Sequence, residues 1–188
     1  MAMITKIRLQ NWKSFKDSTI YIDSLGILIG TNASGKSNVL DAFAFLRAVG
    51  EGKSLLDAIQ TVRGGEDWII HRGEDSFCIE IEIEIEGSSY LLDLRVIKRN
   101  SVFSFDSCEI HRLGTEANDI VPGKFIDSVR NITWKMYDVP IILDFWAKIY
   151  ATFRNIIILD PVPAKMRDYC KISKELKSDG SNVAGVLC

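Results

Sequence analysis

The sequence has little of what would place a chain outside the cell, in a membrane or around a metal. Its four cysteines, Cys78, Cys108, Cys170 and Cys188, lie far apart and form no C-x-x-C pair. Disulfide frameworks belong to short secreted chains with dense, patterned cysteines. This spacing points instead to reduced thiols in a cytoplasmic protein. Met1 to Gln10 carries Lys6 and Arg8 inside an alternating pattern, which is not the continuous apolar run of a signal peptide. No stretch approaches the roughly 20 apolar residues of a membrane helix, so no membrane partner is expected. The two histidines, His71 and His111, have no companion at metal-ligand spacing. An excess of basic residues is also missing. With 23 Lys and Arg against 25 Asp and Glu, the formal net charge is -2. That is not the footprint of a dedicated nucleic-acid binder, although a local basic patch remains compatible with it.

What is present is enough apolar material for a core. Hydrophobic residues make up 47% of 188 residues, which suits one compact domain, with room for a small appended subdomain. Ile4 to Gln10 alternates and reads as a strand, and Thr19 to Ile22 as a second, short one. Leu25 to Ile29 is apolar without alternation, the pattern of a strand buried on both faces. Val39, Ala42, Phe43, Leu46 and Val49 then recur at helical spacing, ended by Gly50 and Gly52. Ser54-Leu55-Leu56-Asp57 has capping-box form and opens a short helix, which Gly64-Gly65 breaks. Phe77 to Glu86 alternates isoleucine with glutamate; Tyr90 to Lys98 and Val102 to Arg112 follow after turns at Gly87-Ser88-Ser89 and Asn100-Ser101. This predicts an antiparallel meander with one core face and one solvated, glutamate-lined face. Further on, a loop is expected at Gly114 to Asn118. Helices are expected over Phe125 to Tyr137, Ile141 to Phe153 and Pro163 to Tyr169, with a buried strand at Asn155 to Leu159. Asp179-Gly180 reads as a turn, and a last helix starts near Ser181-Asn182.

The chemistry sits in Gly30-Thr31-Asn32-Ala33-Ser34-Gly35-Lys36-Ser37, which fits G-x-x-x-x-G-K-[ST]. A triphosphate needs several backbone N–H groups converging on its oxygens. Glycines at 30 and 35 let the backbone curl into that nest without a Cβ clash. A helix beginning at Lys36 would aim its positive end at the phosphates. Lys36 is expected to reach the β- and γ-phosphates as a point charge. The Ser37 hydroxyl is expected to take Mg2+, which prefers oxygen ligands. Such a match arises by chance in about one in a hundred chains of this length, so its context must support it. It does: the motif stands where an apolar run ends and an amphipathic helix begins. ATP with Mg2+ is the expected ligand.

Three stretches narrow the class. Ile4-Thr5-Lys6-Ile7-Arg8-Leu9-Gln10-Asn11-Trp12-Lys13-Ser14-Phe15-Lys16 resembles the opening of RecF/SMC/OLD-type ATPases, in which a strand ends in a segment like N-F-K-S-F. Gly30 to Ala42 resembles their G-x-N-x-S-G-K-S-N-[LIV]-L-[DE]-A version of the loop, through Asn32, Ser34, Asn38 and Asp41. Asp179 to Leu187 is similar to the D-G-x-N-L-A-x-[VL]-L segment that opens the helical lobe in related AAA-type ATPases of DNA repair and phage defence. The resemblance implies an α/β P-loop NTPase fold of the ABC-ATPase-head type with an antiparallel β subdomain, here incomplete. Residues 1–188 would be the N-terminal half of the head, with the loop at 30–37, the meander at about 77–112 and the start of the helical lobe at about 163–188. It also implies ATP and magnesium as cofactors and contacts to the nucleotide from Gly30, Asn32, Ala33, Ser34, Gly35, Lys36, Ser37 and Asn38. Its partners would be a second head in a homodimer, or a C-terminal half supplied elsewhere, and DNA once the head is complete. Lys13 and Ser14 read either as surface residues or as neighbours of the base or ribose.

The sequence departs from the family pattern. It has no L-S-G-G-like signature and no apolar strand ending in Asp-Glu. Ile156-Ile157-Ile158-Leu159-Asp160 has the apolar-run-plus-Asp form, but Pro161 stands where the base belongs. Asp160 is therefore either a second magnesium neighbour or a strand-end cap. Hydrolysis is expected only with the missing half. Truncation would also leave a sheet edge and a core face exposed, favouring association. A non-catalytic nucleotide-sensing module is the alternative. A GTPase is excluded by the lack of N-K-x-D, and a P-loop kinase is disfavoured by the two strands before the loop.

Overall fold

Period-two alternation organises most of the chain. The computed structural model describes residues 2–114, 120–121, 139–160, 166, 172, 177–182 and 186. Its strands are β1 (Ala2–Trp12), β2 (Phe15–Tyr21), β3 (Ser76–Ile85), β4 (Ser88–Arg99), β5 (Val102–Arg112) and β6 (Ile120–Val121). They form one antiparallel sheet in the order β2-β1-β3-β4-β5-β6. The antiparallel subdomain expected of the fold is thus present. It also takes in the first two strands of the chain.

Register explains why β1 joins the meander. Ile7 stands opposite Ile81 and Leu9 opposite Ile79; Ile81 and Ile79 face Leu92 and Leu94 on their other side. Leu92 and Leu94 in turn face Ile110 and Cys108. All these side chains are buried. On the opposite face Lys6 meets Glu82 at 2.7 Å and Arg8 meets Glu80 at 3.4 Å. The glutamate row was expected to stand in solvent. Half of it is instead covered, because β1 brings its own cations into register with β3, while Glu84 and Glu86 stay exposed. The hairpins use left-handed pairs, Glu86-Gly87 (φ 52° and 79°) and Asn100-Ser101 (φ 49° and 64°), whose twist matches that of the flanking strands. The first lies one residue earlier than expected.

Among the described residues four helices accompany the sheet: α1 (Lys36–Gly50), α2 (Leu55–Gln60), α3 (Gly65–Trp68) and α4 (Val139–Arg154). Val39, Ala42, Phe45, Leu46 and Val49 of α1 are buried. Phe45, and not Phe43, supplies the aromatic anchor. Its ring lies 5.8 Å from both Trp12 and Phe77, which are themselves 5.1 Å apart edge to face. At the far end α1 meets α4 so closely that a Cβ on Gly50 would stand 2.5 Å from the backbone nitrogen of Arg154. Ser54 caps α2 by accepting from the N–H of Asp57 at 3.2 Å. Gly64-Gly65 hands the chain to α3.

Two expected strands do not form. Leu25 to Ile29 has no regular structure, and Leu25, Ile27 and Ile29 are 73%, 74% and 92% exposed. Asn155 to Leu159 likewise leaves α4 through a turn and runs on without pairing, with Ile157 76% exposed. A run apolar on both faces needs strand neighbours and cover on two sides. Among the described residues no strand pairs with either segment. The expected loop beyond Gly114, the helices at Phe125 to Tyr137 and Pro163 to Tyr169, and most of the last helix lie outside the described residues. By packing, the chain divides into Met1–Asn155 and Ile156–Cys188. In the second unit Gly180 closes a turn on Lys177, and the buried Asn182 accepts from the Lys177 N–H at 2.8 Å. No helix among the described residues is long and apolar enough to cross a membrane.

Candidate phosphate-binding site

From Ile22 the chain runs irregularly and mostly exposed to Gly35, where α1 begins. The loop folds tightly on itself. The Ser34 N–H donates to the Thr31 carbonyl at 3.3 Å. Ala33 and Gly35 are left-handed, at φ 65° and 90°. Left-handed residues at such spacing are what a concave run of N–H groups requires. A Cβ on Gly30 would stand 2.7 Å from the Ser34 hydroxyl, and one on Gly35 would stand 2.8 Å from the Phe15 ring. Gly35 is the N-cap of α1, and no side chain caps the helix there. Its first-turn N–H groups therefore lack a side-chain acceptor.

Lys36 folds back over the loop. Its ammonium donates to the carbonyls of Gly30 and Thr31, each at 2.6 Å, and to Ser34 Oγ at 3.3 Å. These acceptors are all neutral, so the charge is not compensated by them. Ser37 follows on the exposed side of the first turn, and Asn32 stands in the exposed loop. Asn38 points elsewhere: its amide donates to Ser14 Oγ at 2.7 Å, and its carbonyl accepts from the Trp12 indole at 2.8 Å.

Behind the loop lies a cluster that pattern reading missed. The Asp41 carboxylate is buried at 4% exposure. One oxygen takes the Lys13 ammonium at 2.5 Å and the other takes Arg63 Nε at 2.9 Å. Lys13 also donates to the Arg63 carbonyl at 2.8 Å, and Arg63 Nη2 reaches the Ser37 carbonyl at 2.9 Å. Lys13 is therefore not a surface residue; its side chain is only 9% exposed. Ser14 is exposed. The missed signal was Asp41 itself. It lines up with Phe45 and Ala48 on a buried helical stripe, and a carboxylate there needs a cation. His71 joins the same corner: its N–H donates to the Asn11 carbonyl at 2.7 Å, and its ring Nδ1 lies 2.9 Å from the Lys13 carbonyl. Asp160 lies exposed in the second unit, where its backbone N–H donates to Ser178 at 2.7 Å.

The family model of the AAA ATPase domain matches residues 3–180. The chain belongs to that family. Among its curated relatives, a DNA double-strand break repair Rad50 ATPase of Sulfolobus acidocaldarius is 28% identical over 179 residues, covering 93% of this chain and 17% of the relative. The Rad50 ATPase of Thermoplasma volcanium is 34% identical over 114 residues, covering 60% of this chain and 12% of the relative. A chromosome partition protein Smc of Methanococcus voltae is 41% identical over 56 residues, covering 29% of this chain and 5% of that protein. The chain thus spans less than a fifth of the length of these relatives. It carries an AAA ATPase domain that is similar in sequence to these Rad50 and Smc proteins.

Proposed function

We propose that this domain holds the triphosphate of ATP, with Mg2+, in the loop Gly30 to Ser37, as the phosphate cradle of a Rad50/SMC-like ATPase head that works on DNA. The observation that carries the proposal is the Lys36 ammonium, seated over the loop on three neutral oxygens. An anion entering there gains a charge-assisted hydrogen bond without breaking an ion pair to these acceptors. The space fits as well, since both loop glycines occupy positions where a Cβ would fill the cradle or strike Phe15. The Ser37 hydroxyl is the residue that would hold magnesium, and the ion would neutralise charge on the phosphates. Gly30, Ala33, Ser34 and Gly35 shape the cradle, and Asn32 borders it. Asn38 acts from behind, through the hairpin it holds.

Residues 1–188 supply the cradle and the antiparallel subdomain of the head. The base that orients water and the signature segment facing the γ-phosphate come from another segment or from a second head. The relatives' names, DNA double-strand break repair and chromosome partition, support DNA as the polymer served. Calorimetric titration with ATP and magnesium tests the cradle. The parent chain is expected to bind and Lys36→Ala to lose binding. Equal affinity in the two would end the reading.

A further inference from the structure

The Lys13–Asp41–Arg63 cluster touches the loop at one place, the backbone of Ser37. Arg63 sits in the connection between α2 and α3, far from the loop in sequence. Its guanidinium reaches both Asp41 and Ser37: Nε lies 2.9 Å from Asp41 Oδ1, and Nη2 lies 2.9 Å from the Ser37 carbonyl. Its own backbone is tied too, because Lys13 donates to the Arg63 carbonyl at 2.8 Å while pairing with Asp41. Lys13 therefore holds the main chain of residue 63, and Asp41 holds its side chain. The planar fork of arginine makes the resulting aim directional in a way a lysine could not match.

We propose that Arg63 is a positioning residue for the magnesium-bearing hydroxyl of Ser37, aimed by Asp41 and braced by Lys13. The proposal rests on the assignment of the loop to MgATP. In the first turn of a helix the N–H groups, not the carbonyls, lack intrahelical partners, so the bond from Arg63 is an additional, outside grip on the Ser37 carbonyl. Gripping the Ser37 carbonyl sets the rotation of the same residue that carries the hydroxyl. Through Lys13 the grip extends to the β1–β2 hairpin. Displacement of that hairpin would therefore be felt at the metal ligand.

The consequence is specific: Arg63 should matter for nucleotide binding chiefly when magnesium is present. The experiment is calorimetric titration of the full chain with ATP, once with magnesium and once with EDTA, for the parent, Lys36→Ala, Arg63→Ala and Arg63→Lys. Arg63→Ala is expected to weaken binding about tenfold with magnesium and by about twofold or less without it, the scale typical of partners that orient a metal ligand. Arg63→Lys can keep the bond to Asp41 but not both, and its loss of affinity should fall between those of the parent and Arg63→Ala. Equal losses with and without magnesium, or no loss, overturn the positioning role. If Arg63→Ala does not fold, as thermal melting would show, Arg63→Lys decides alone: magnesium dependence identical to the parent overturns it. Failure of the underlying assignment looks different, because then the parent does not bind ATP or Lys36→Ala binds as the parent does.

Discussion

Charge counting around Asp41 makes a prediction about sign. Two cations face one carboxylate, and their burial differs sharply: the side chains of Lys13, Asp41 and Arg63 are 9%, 5% and 53% exposed. Replacing Lys13 by methionine removes one cation and keeps most of the apolar stem. Asp41 still has Arg63 at 2.9 Å, so a neutral pair remains. The expected cost is about 1.5–3 kcal/mol, the scale of a lost hydrogen bond to a charged group. Replacing Asp41 by asparagine instead leaves the Lys13 ammonium buried without an anion, its remaining acceptor being the Arg63 carbonyl. Breaking a buried pair in this direction costs about 3–5 kcal/mol. The order Asp41→Asn worse than Lys13→Met is the first expectation. The second is sharper: added to Asp41→Asn, Lys13→Met should stabilise, recovering about 1–3 kcal/mol, because it removes the orphaned charge. Urea unfolding of the four proteins, followed by tryptophan fluorescence and circular dichroism, measures both. A double variant less stable than Asp41→Asn alone would refute the reasoning, since Lys13 would then stabilise by packing and not by charge.

Two further outcomes follow from local geometry. Gly35→Ala and Gly52→Ala both place a side chain at a left-handed residue, φ 90° and 77°, but only the first meets a neighbour, the Phe15 ring at 2.8 Å. Each should lose about 1–2 kcal/mol for backbone strain, and Gly35→Ala about 1–3 kcal/mol more for overpacking; thermal melts that rank the two equally would show that Phe15 yields without cost. Burial, helped by a hydrogen bond to Asp93, pushes the Cys78 thiol up to about 12 from an ordinary 9.0. The folded chain should therefore carry about a thousandfold less Cys78 thiolate at pH 8 than the unfolded chain, and iodoacetamide followed by peptide mass spectrometry should mark Cys78 only in urea; native labelling at the unfolded rate would contradict the buried placement.

The parts of this fold that could be read from sequence are those governed by local pattern. Alternation placed β3, β4 and β5 within one or two residues, and the Asn100-Ser101 turn followed from the gap between them. The loop and the start of α1 were legible because each letter of G-x-x-x-x-G-K-[ST] answers a steric or charge requirement of phosphate. Features that depend on partners distant in sequence were not legible. Leu25 to Ile29 has the composition of a central strand, but composition cannot supply a neighbour. The choice of Phe45 over Phe43 was decided by Trp12 and Phe77, which no window around α1 contains. Likewise the solvated reading of the glutamate row failed at Glu80 and Glu82, because the cations that cover them arrive from β1.

The same reasoning makes one object of two of the stretches that carry the family resemblance. In sequence, the segment ending β1 and the loop leading into α1 are separate motifs. In space Trp12, Lys13, Ser14 and Phe15 of the first meet the second. The Trp12 indole holds the Asn38 carbonyl, Lys13 pairs with Asp41, Ser14 accepts from the Asn38 amide, and the Phe15 ring lies against the place where a Gly35 side chain would be. The hairpin is a splint laid along the first turn and a half of the helix. This explains why the first motif needs a large aromatic, a long cation, a small hydroxyl and a second aromatic in that order. Each reaches a different depth of the same helix face. It also explains why Asn38 and Asp41 belong to the extended loop motif: both are held by the hairpin. A cradle of exposed backbone, uncapped and built on left-handed residues, has little of its own to hold it. Here its rigidity is borrowed from β1, and the loan passes through Asn38 and Asp41.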